Sequence, residues 1–173
     1  NPDLKWETTR GFDAGIEVAI FNNRVTLEMD YYTRKTVDLL LEVEVPGTSG
    51  FETQFRNIGK LENKGLEVTL NTVNIDSKKF RWTSSINFAN NKNTITNLGG
   101  QVIGTDVNKA MEGQPLGVFF AREFAGADPD NGDALYYLNT KKADGTLDRS
   151  TTNDYNAAQD VVIGSPVPDF IYG

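Results

Sequence analysis

The chain has 173 residues, a net charge of −7, and neither cysteine nor histidine. The missing residues exclude disulfides, thiolate metal sites, cysteine nucleophiles and any catalytic triad built on an imidazole. The acidic balance argues against nucleic acid as a partner, because phosphate binding needs a basic face.

The first part of the chain alternates apolar and polar residues, the pattern of strands with one apolar face. Residues 14–21 predict a first strand and Phe21–Arg24 a tight turn. Residues 25–41 then predict an unusually long second strand. Its apolar face carries Val25, Leu27, Met29 and Tyr31.

A long connection is predicted over about residues 42–63, and the next two strands at 65–72 and 80–88 are joined by a short polar turn at Asp76–Lys79. The alternation breaks up after Asn93. Beyond that point the sequence predicts a loop at 99–115, a strand at 117–124, and a long polar loop at 126–165 with short strands at 135–138 and 161–163. No segment favours a helix, and no apolar run of about 18 residues predicts a membrane-spanning one.

Short turns alternating with long loops, and strands of about 9–11 residues with charges on one face, are typical of outer-membrane β-barrels. Aromatic residues near the predicted strand ends, among them Tyr31, Phe80 and Trp82, are placed as interfacial girdle residues would be. A soluble β-sandwich produces the same alternation, with its apolar face buried against a second sheet. The pattern by itself leaves both interpretations open.

Several short motifs occur in a fixed order along nearly the whole chain. Together they resemble the late barrel region of SusC/RagA-type TonB-dependent outer-membrane transporters. The motifs are Asn1–Thr9, Phe21–Arg24 with Asp30–Tyr32 and Lys35–Leu40, Asn57–Gly59 with Asn63–Glu67, Asn87–Phe88 with Asn91–Asn93, Glu112–Gly117, and Ile163–Phe170. Residues from about 126 to 162 depart most from that family's pattern.

The resemblance implies an all-β fold in which antiparallel up-and-down strands form part of a large transmembrane β-barrel with long extracellular loops. Residues 1–173 would be a partial TonB-dependent receptor β-barrel domain without the plug domain. Ser165–Gly173 ends a few residues into a strand pattern, so we expect the chain to be a piece of a longer protein.

The same resemblance implies a location in the bacterial outer membrane and import of an oligosaccharide or a peptide. The implied partners are a SusD-like surface lipoprotein, TonB acting through the absent plug, and outer-membrane lipid. The alternative is a soluble all-β carbohydrate-binding or adhesion module, dependent on calcium if the acidic loop described next binds it.

Carboxylates crowd around a glycine in residues 128–133, so Asp128, Asp130 and Asp133 form a Ca²⁺ candidate. Their spacing departs from that of a twelve-residue calcium loop, and a turn in a solvated acidic loop fits the spacing better. We expect no enzymatic activity, since no general base stands out and the scattered glutamates are explained as lumen-facing or solvated.

Aromatic residues in the predicted loops have large flat faces that could stack on sugar rings. Packing among the loops is the alternative, and the sequence does not separate the two. These residues are Phe51, Phe55, Phe119, Phe120, Tyr136, Tyr137 and Tyr155.

Overall fold

A computed structural model describes residues 2–104 and 107–173. Asn1, the first residue of the Asn-Pro-Asp motif, and Thr105 and Asp106, within the predicted loop 99–115, lie outside the described residues. The chain divides into two compact units. The first comprises Asn1–Val102, Met111–Leu116 and Val167–Gly173, and the second comprises Ile103–Ala110 and Gly117–Pro166.

The first unit is a five-stranded antiparallel sheet in which the first four strands of the chain lie side by side in chain order, and the last strand pairs with the fourth. This up-and-down order confirms the predicted fold class. The strands, in their order across the sheet, are β1 (Thr8–Ile20), β2 (Val25–Glu44), β3 (Thr53–Asp76), β4 (Arg81–Asn97) and β11 (Ile171–Tyr172).

The second unit contains two small antiparallel sheets built from short strands. One has the order β10-β6-β5 and the other β7-β8-β9, and Val118 and Ala158 are fully buried in this unit. The strands are β5 (Asn108–Lys109), β6 (Val118–Arg122), β7 (Phe124–Ala127), β8 (Ala134–Tyr137), β9 (Thr151–Thr152) and β10 (Asp160–Gly164).

Register places the apolar residues of all four long strands on one side of the first sheet. Val18 lies opposite Leu27, and Leu27 lies opposite Leu70 in turn. We call this side the apolar face and the other the polar face. The apolar face is not packed into a sandwich, because Ile16 is 64% exposed and Ile86 is 55% exposed.

Tight turns join β1 to β2 and β3 to β4, as predicted. Phe21, Asn22 and Asn23 all have positive φ, which asparagine tolerates better than most residues. The Arg24 guanidinium donates from Nε and Nη2 to the carbonyl oxygen of Val73 at 3.2 and 3.1 Å. The motif arginine thus ties the first turn to the neighbouring strand.

The prediction of a loop over residues 42–63 is wrong for most of that range. The two strands stay paired as far as Glu44 opposite Thr53, and only residues 45–52 connect them, with a 3-10 turn at Gly47–Ser49. A register shift near Asp38, whose φ is positive, breaks the alternation that prediction relies on. Polar side chains on β3 also resemble loop composition, although backbone pairing does not require apolar residues.

Three other boundaries differ from prediction. The first strand begins at Thr8, and β4 continues to Asn97 through asparagines that suggested a loop. The strand predicted at 117–124 is two strands, β6 and β7. The short strands predicted at 135–138 and 161–163 are confirmed within a residue or two as β8 and β10.

The strands of the first unit are longer than a membrane-spanning β-strand needs to be. The 20 residues of β2 span roughly 66 Å at ~3.3 Å per residue, whereas the apolar band of an outer-membrane barrel is about 25 Å tall. The end of the β2–β3 hairpin therefore projects past the apolar face on the side away from the short turns. Across residues 2–104 and 107–173, no helix is long and apolar enough to cross a membrane.

Candidate functional site

Acidic side chains oppose one another across the polar face. Glu17 lies directly opposite Glu28, and Asp30 lies directly opposite Glu67. Like charges in directly opposed positions destabilise a sheet, so this face needs water or a cationic neighbour around it. The aqueous lumen of a β-barrel would supply the water.

A groove crosses the polar face and is lined by both acidic and amide side chains. Tyr32 donates its hydroxyl hydrogen to Asn91 Oδ1 at 3.2 Å, and Asn93 donates to Asn63 Oδ1 at 2.7 Å. The Tyr32 ring covers Gly65, where an added Cβ would lie only 2.3 Å from a ring carbon. The motif glycine is therefore required by the close approach of the motif tyrosine.

The segment that precedes β1 is fastened to the β2–β3 hairpin by side chains of two family motifs. Asn57 Nδ2 donates to the carbonyl oxygens of Lys5 and Asp38 at 2.9 and 2.7 Å, and the Lys5 amide donates to Asn57 Oδ1 at 2.8 Å. Glu7 Oε1 accepts from the Leu40 amide at 2.8 Å. These contacts shape the end of the sheet farthest from the short turns.

Glu112, the first residue of the Glu-Gly-Gln-Pro-Leu-Gly motif, caps the loop that follows β4. Its Oε1 accepts from the amides of Leu98 and Gly100 at 2.6 and 3.1 Å. These backbone hydrogen bonds hold the pKa of the Glu112 carboxyl below its usual value. The charge thus fixes the path by which the chain leaves the sheet.

A charged cluster organises the β7-β8-β9 sheet of the second unit. The Arg149 guanidinium donates to both carboxylate oxygens of Glu123 at 2.6 and 2.8 Å and lies over the Tyr137 ring at 3.8 Å. It also donates to Asn139 Oδ1 at 2.9 Å, and Asn139 is buried with positive φ. Arg149, followed by Asn139, holds the pKa of Glu123 below its usual value.

We expect Glu123→Gln to open this sheet locally, because the Arg149 guanidinium would lose its charged partner and one of the two acceptor oxygens. The expected loss is about 1 kcal/mol of local opening free energy, measured by hydrogen exchange at the Leu138 amide, which donates to Ser150. Asp160→Asn removes a comparable pair with Arg122 in the other small sheet and is the matched control. Equal protection of Leu138 in both variants would contradict the assignment.

The same pair predicts a pH dependence in the unmodified protein. Since the pKa of folded Glu123 lies below the ordinary value of 4.5, its stabilisation is present above pH 4.5 and is lost as pH falls through the folded pKa. Protection of Leu138 should therefore decline in acid, and this part of the decline should be absent in Glu123→Gln. Exchange measured across a pH series checks both expectations.

The predicted calcium residues lie in one turn between β7 and β8. The Asp128 carboxylate accepts from the Asp130 amide at 2.9 Å, and the backbones of Asp128 and Asp133 are bonded at 2.8 Å. The turn is thus held by its own hydrogen bonds. No group of three carboxylates close enough to hold a metal occurs in the described part of the chain, and a calcium ion here stays a prediction.

Several of the loop aromatics pack against neighbours in the second unit. The Tyr136 ring contacts the rings of Phe124 and Tyr155, with centroids 6.2 and 5.3 Å away. The Arg122 guanidinium lies 4.7 Å from the Tyr155 ring centroid. Packing among the loop residues therefore accounts for these rings, and Phe51, at 72% exposed, remains the most open of the predicted stacking residues.

Two features of the site were not anticipated from the sequence. The like-charge pairs on the polar face depend on register, which joins residues far apart in the chain. The Glu123–Arg149 pair joins residues on either side of a polar loop that carries no periodic signal. Motif positions such as Tyr32, Asn57, Gly65 and Glu112 offered a signal, but it gave no contact partner.

A family model and the most similar known proteins all indicate the same family. The family model described as "TonB dependent receptor-like, beta-barrel" matches residues 1–162. TonB-dependent receptor P26 of Formosa agariphila is 37% identical across the whole chain, which covers 19% of that protein. TonB-dependent receptor SusC of Bacteroides thetaiotaomicron is 44% identical over 58% of the chain and 10% of its own length.

Among solved structures, the RagAB peptide transporter superposes on the whole chain with a TM-score of 0.82 and 34% identity, over 20% of that structure's chain. The RagAB peptide importer in its open-open state gives a TM-score of 0.83 at 32% identity. The chain spans about a fifth of the length of the first relatives it matches.

Proposed function

The chain belongs to the TonB-dependent receptor β-barrel family, and from that premise we propose that residues 1–173 are a partial barrel domain of an outer-membrane nutrient importer. The observation that carries the proposal is a sheet with an exposed apolar face and a polar, acidic opposite face. This arrangement suits a wall between lipid and an aqueous lumen.

Barrels of this family lie in the bacterial outer membrane. The apolar face is accordingly directed at lipid and the polar face at the lumen. Short turns mark the periplasmic end of such barrels and long loops the extracellular end. The β2–β3 hairpin end and the segment between β4 and β11 are therefore extracellular.

We propose an oligosaccharide or a peptide as the imported substrate, with a SusD-like surface lipoprotein as the extracellular partner. TonB would act through a plug that lies outside these residues. The solved relative described as a peptide transporter supports the peptide, and the name SusC supports the lipoprotein partner. The role of residues 1–173 is structural, with no chemistry of their own.

Uptake by cells carrying the full-length transporter tests the proposal. Deleting its gene should abolish uptake of one substrate class, measured with fluorescent peptide and oligosaccharide mixtures, and deleting the gene of the proposed lipoprotein partner should impair the same class. A complemented strain is the control. Unchanged uptake of both classes in the deletion strain would refute the import function.

The soluble binding module finds no support in the fold, because its apolar face should be buried against a second sheet. That face is instead exposed at Ile16, Val18, Ile20 and Ile86. In water, so wide an apolar surface would drive aggregation.

A further inference from the structure

Four basic side chains lie together on the same side of the sheet as the apolar residues. Arg10 lies directly opposite Lys35 on the neighbouring strand, and Lys64 lies directly opposite Lys92. All four are exposed. We call Arg10, Lys35, Lys64 and Lys92 the basic belt.

The basic belt lies at the extracellular edge of the apolar band. From Ile20, beside the short turn, to Arg10 the first strand advances ten residues, or roughly 26 Å of height at ~3.4 Å per residue and a tilt of about 40°. This matches the apolar band of about 25 Å in such barrels. Phe12, 59% exposed, lies in the same row as Lys64 and Lys92. Tyr31, 44% exposed, lies in the row below, and both are placed as interfacial aromatics are.

Among the described residues, the ion pairs of the belt involve one carboxylate, that of Glu62. Glu62 Oε1 is 3.2 Å from Lys35 Nζ, and Glu62 Oε2 is 3.0 Å from Lys64 Nζ. One carboxylate thus holds two ammonium groups side by side, while Lys92 and Arg10 add two further cations to the cluster. The chain as a whole has a net charge of −7, so this cluster has the opposite sign to the rest of the protein.

Two features of the belt indicate that it binds an anion from outside the chain. Both basic pairs are like charges in directly opposed positions, which disfavours the sheet unless an anion lies between them. Thr33, in the row that also contains Lys64, has a buried hydroxyl with no hydrogen-bond partner among the described residues. Such a group is normally satisfied by a partner.

We propose that the basic belt binds the phosphorylated headgroup of an outer-leaflet lipid, whose acyl chains lie along the adjoining apolar face. Ammonium and guanidinium groups at the headgroup level bind phosphate by charge-assisted hydrogen bonds. The basic belt adjoins the lipid-facing apolar band. The anion it binds is therefore assigned to a membrane lipid and not to a soluble molecule. The inference rests on the placement of the sheet in the membrane and not on import.

The test uses the full-length transporter in detergent, titrated with diphosphoryl lipid A, with bound lipid counted by native mass spectrometry. Lys64→Gln with Lys92→Gln removes two belt cations. Lys78→Gln with Lys79→Gln removes the same charge at the opposite, periplasmic turn and is the matched control. Each surface cation strengthens binding to an anionic lipid by roughly fivefold, so the belt variant should bind about 25-fold more weakly.

The turn variant should bind lipid A as the unmodified protein does, and Lys64→Arg with Lys92→Arg should retain binding because the charges remain. Equal affinity in the belt and turn variants would overturn the proposal. So would equal affinity for lipid A and zwitterionic phosphatidylcholine, or displacement of lipid A by inorganic phosphate at the same phosphate concentration. Uptake is measured separately, so failure of import and failure of lipid binding are distinguishable.

Discussion

Replacing Val68 with arginine is expected to lower the free energy of unfolding of the complete barrel by about 2–4 kcal/mol, because a charge would be placed near the bilayer midplane. Val68 lies opposite Met29 on one strand and Phe88 on the other, in a row of apolar residues. That row contains no carboxylate to pair with a guanidinium. Urea unfolding of the full-length barrel in phosphatidylcholine vesicles measures the change.

Thr69→Arg is the matched control for this substitution. Thr69 is the next residue of the same strand, so its side chain is on the polar face, where Glu28 lies directly opposite. There an arginine gains a carboxylate partner and water, and its effect should be small. A similar loss of stability at both positions would show that the apolar face is not directed at lipid.

Gly65→Ala is expected to destabilise the barrel by about 1–3 kcal/mol, the usual cost of forcing extra volume into a filled position. The added Cβ would lie 2.3 Å from a carbon of the Tyr32 ring, so the ring must move away. Moving it breaks the hydrogen bond from Tyr32 to Asn91. The same unfolding assay measures the effect.

A double-mutant cycle separates this clash from a general cost of losing glycine in a strand. In a Tyr32→Ala background the ring is absent, and Gly65→Ala should then cost little. Gly11→Ala is a control on the same face, since the atom nearest to its Cβ would be an Arg34 side-chain carbon at 3.3 Å. Additive effects of the Gly65 and Tyr32 substitutions would refute the proposed contact.

Local signals were sufficient for the turns and for the central parts of the strands. Asn22 and Asn23 accept positive φ, and their position between two alternating runs made the first turn predictable. The alternation of Val25, Leu27 and Met29 likewise assigned one face of the sheet correctly. Both signals arise from side chains within a few residues of one another.

The hairpin beyond the membrane was missed because its stability comes from pairing between strands. Residues 53–63 are mostly polar, and the bulge at Asp38 shifts the register on the opposing strand. Asn57 closes the bulge through hydrogen bonds to Lys5 and Asp38, residues about 50 and 20 positions away in the sequence. No local pattern encodes such a contact.

The sequence by itself determined that this protein is built from antiparallel strands with one apolar and one polar face, since residues two apart share a face in any extended strand. Its ordered motifs indicated the family. Only the tertiary structure decided which strands meet and in what register. Register opposes Glu17 to Glu28 on the inner wall and gathers Arg10, Lys35, Lys64 and Lys92 on the outer one, because contacts across a sheet depend on pairing between distant segments and not on neighbours in the chain.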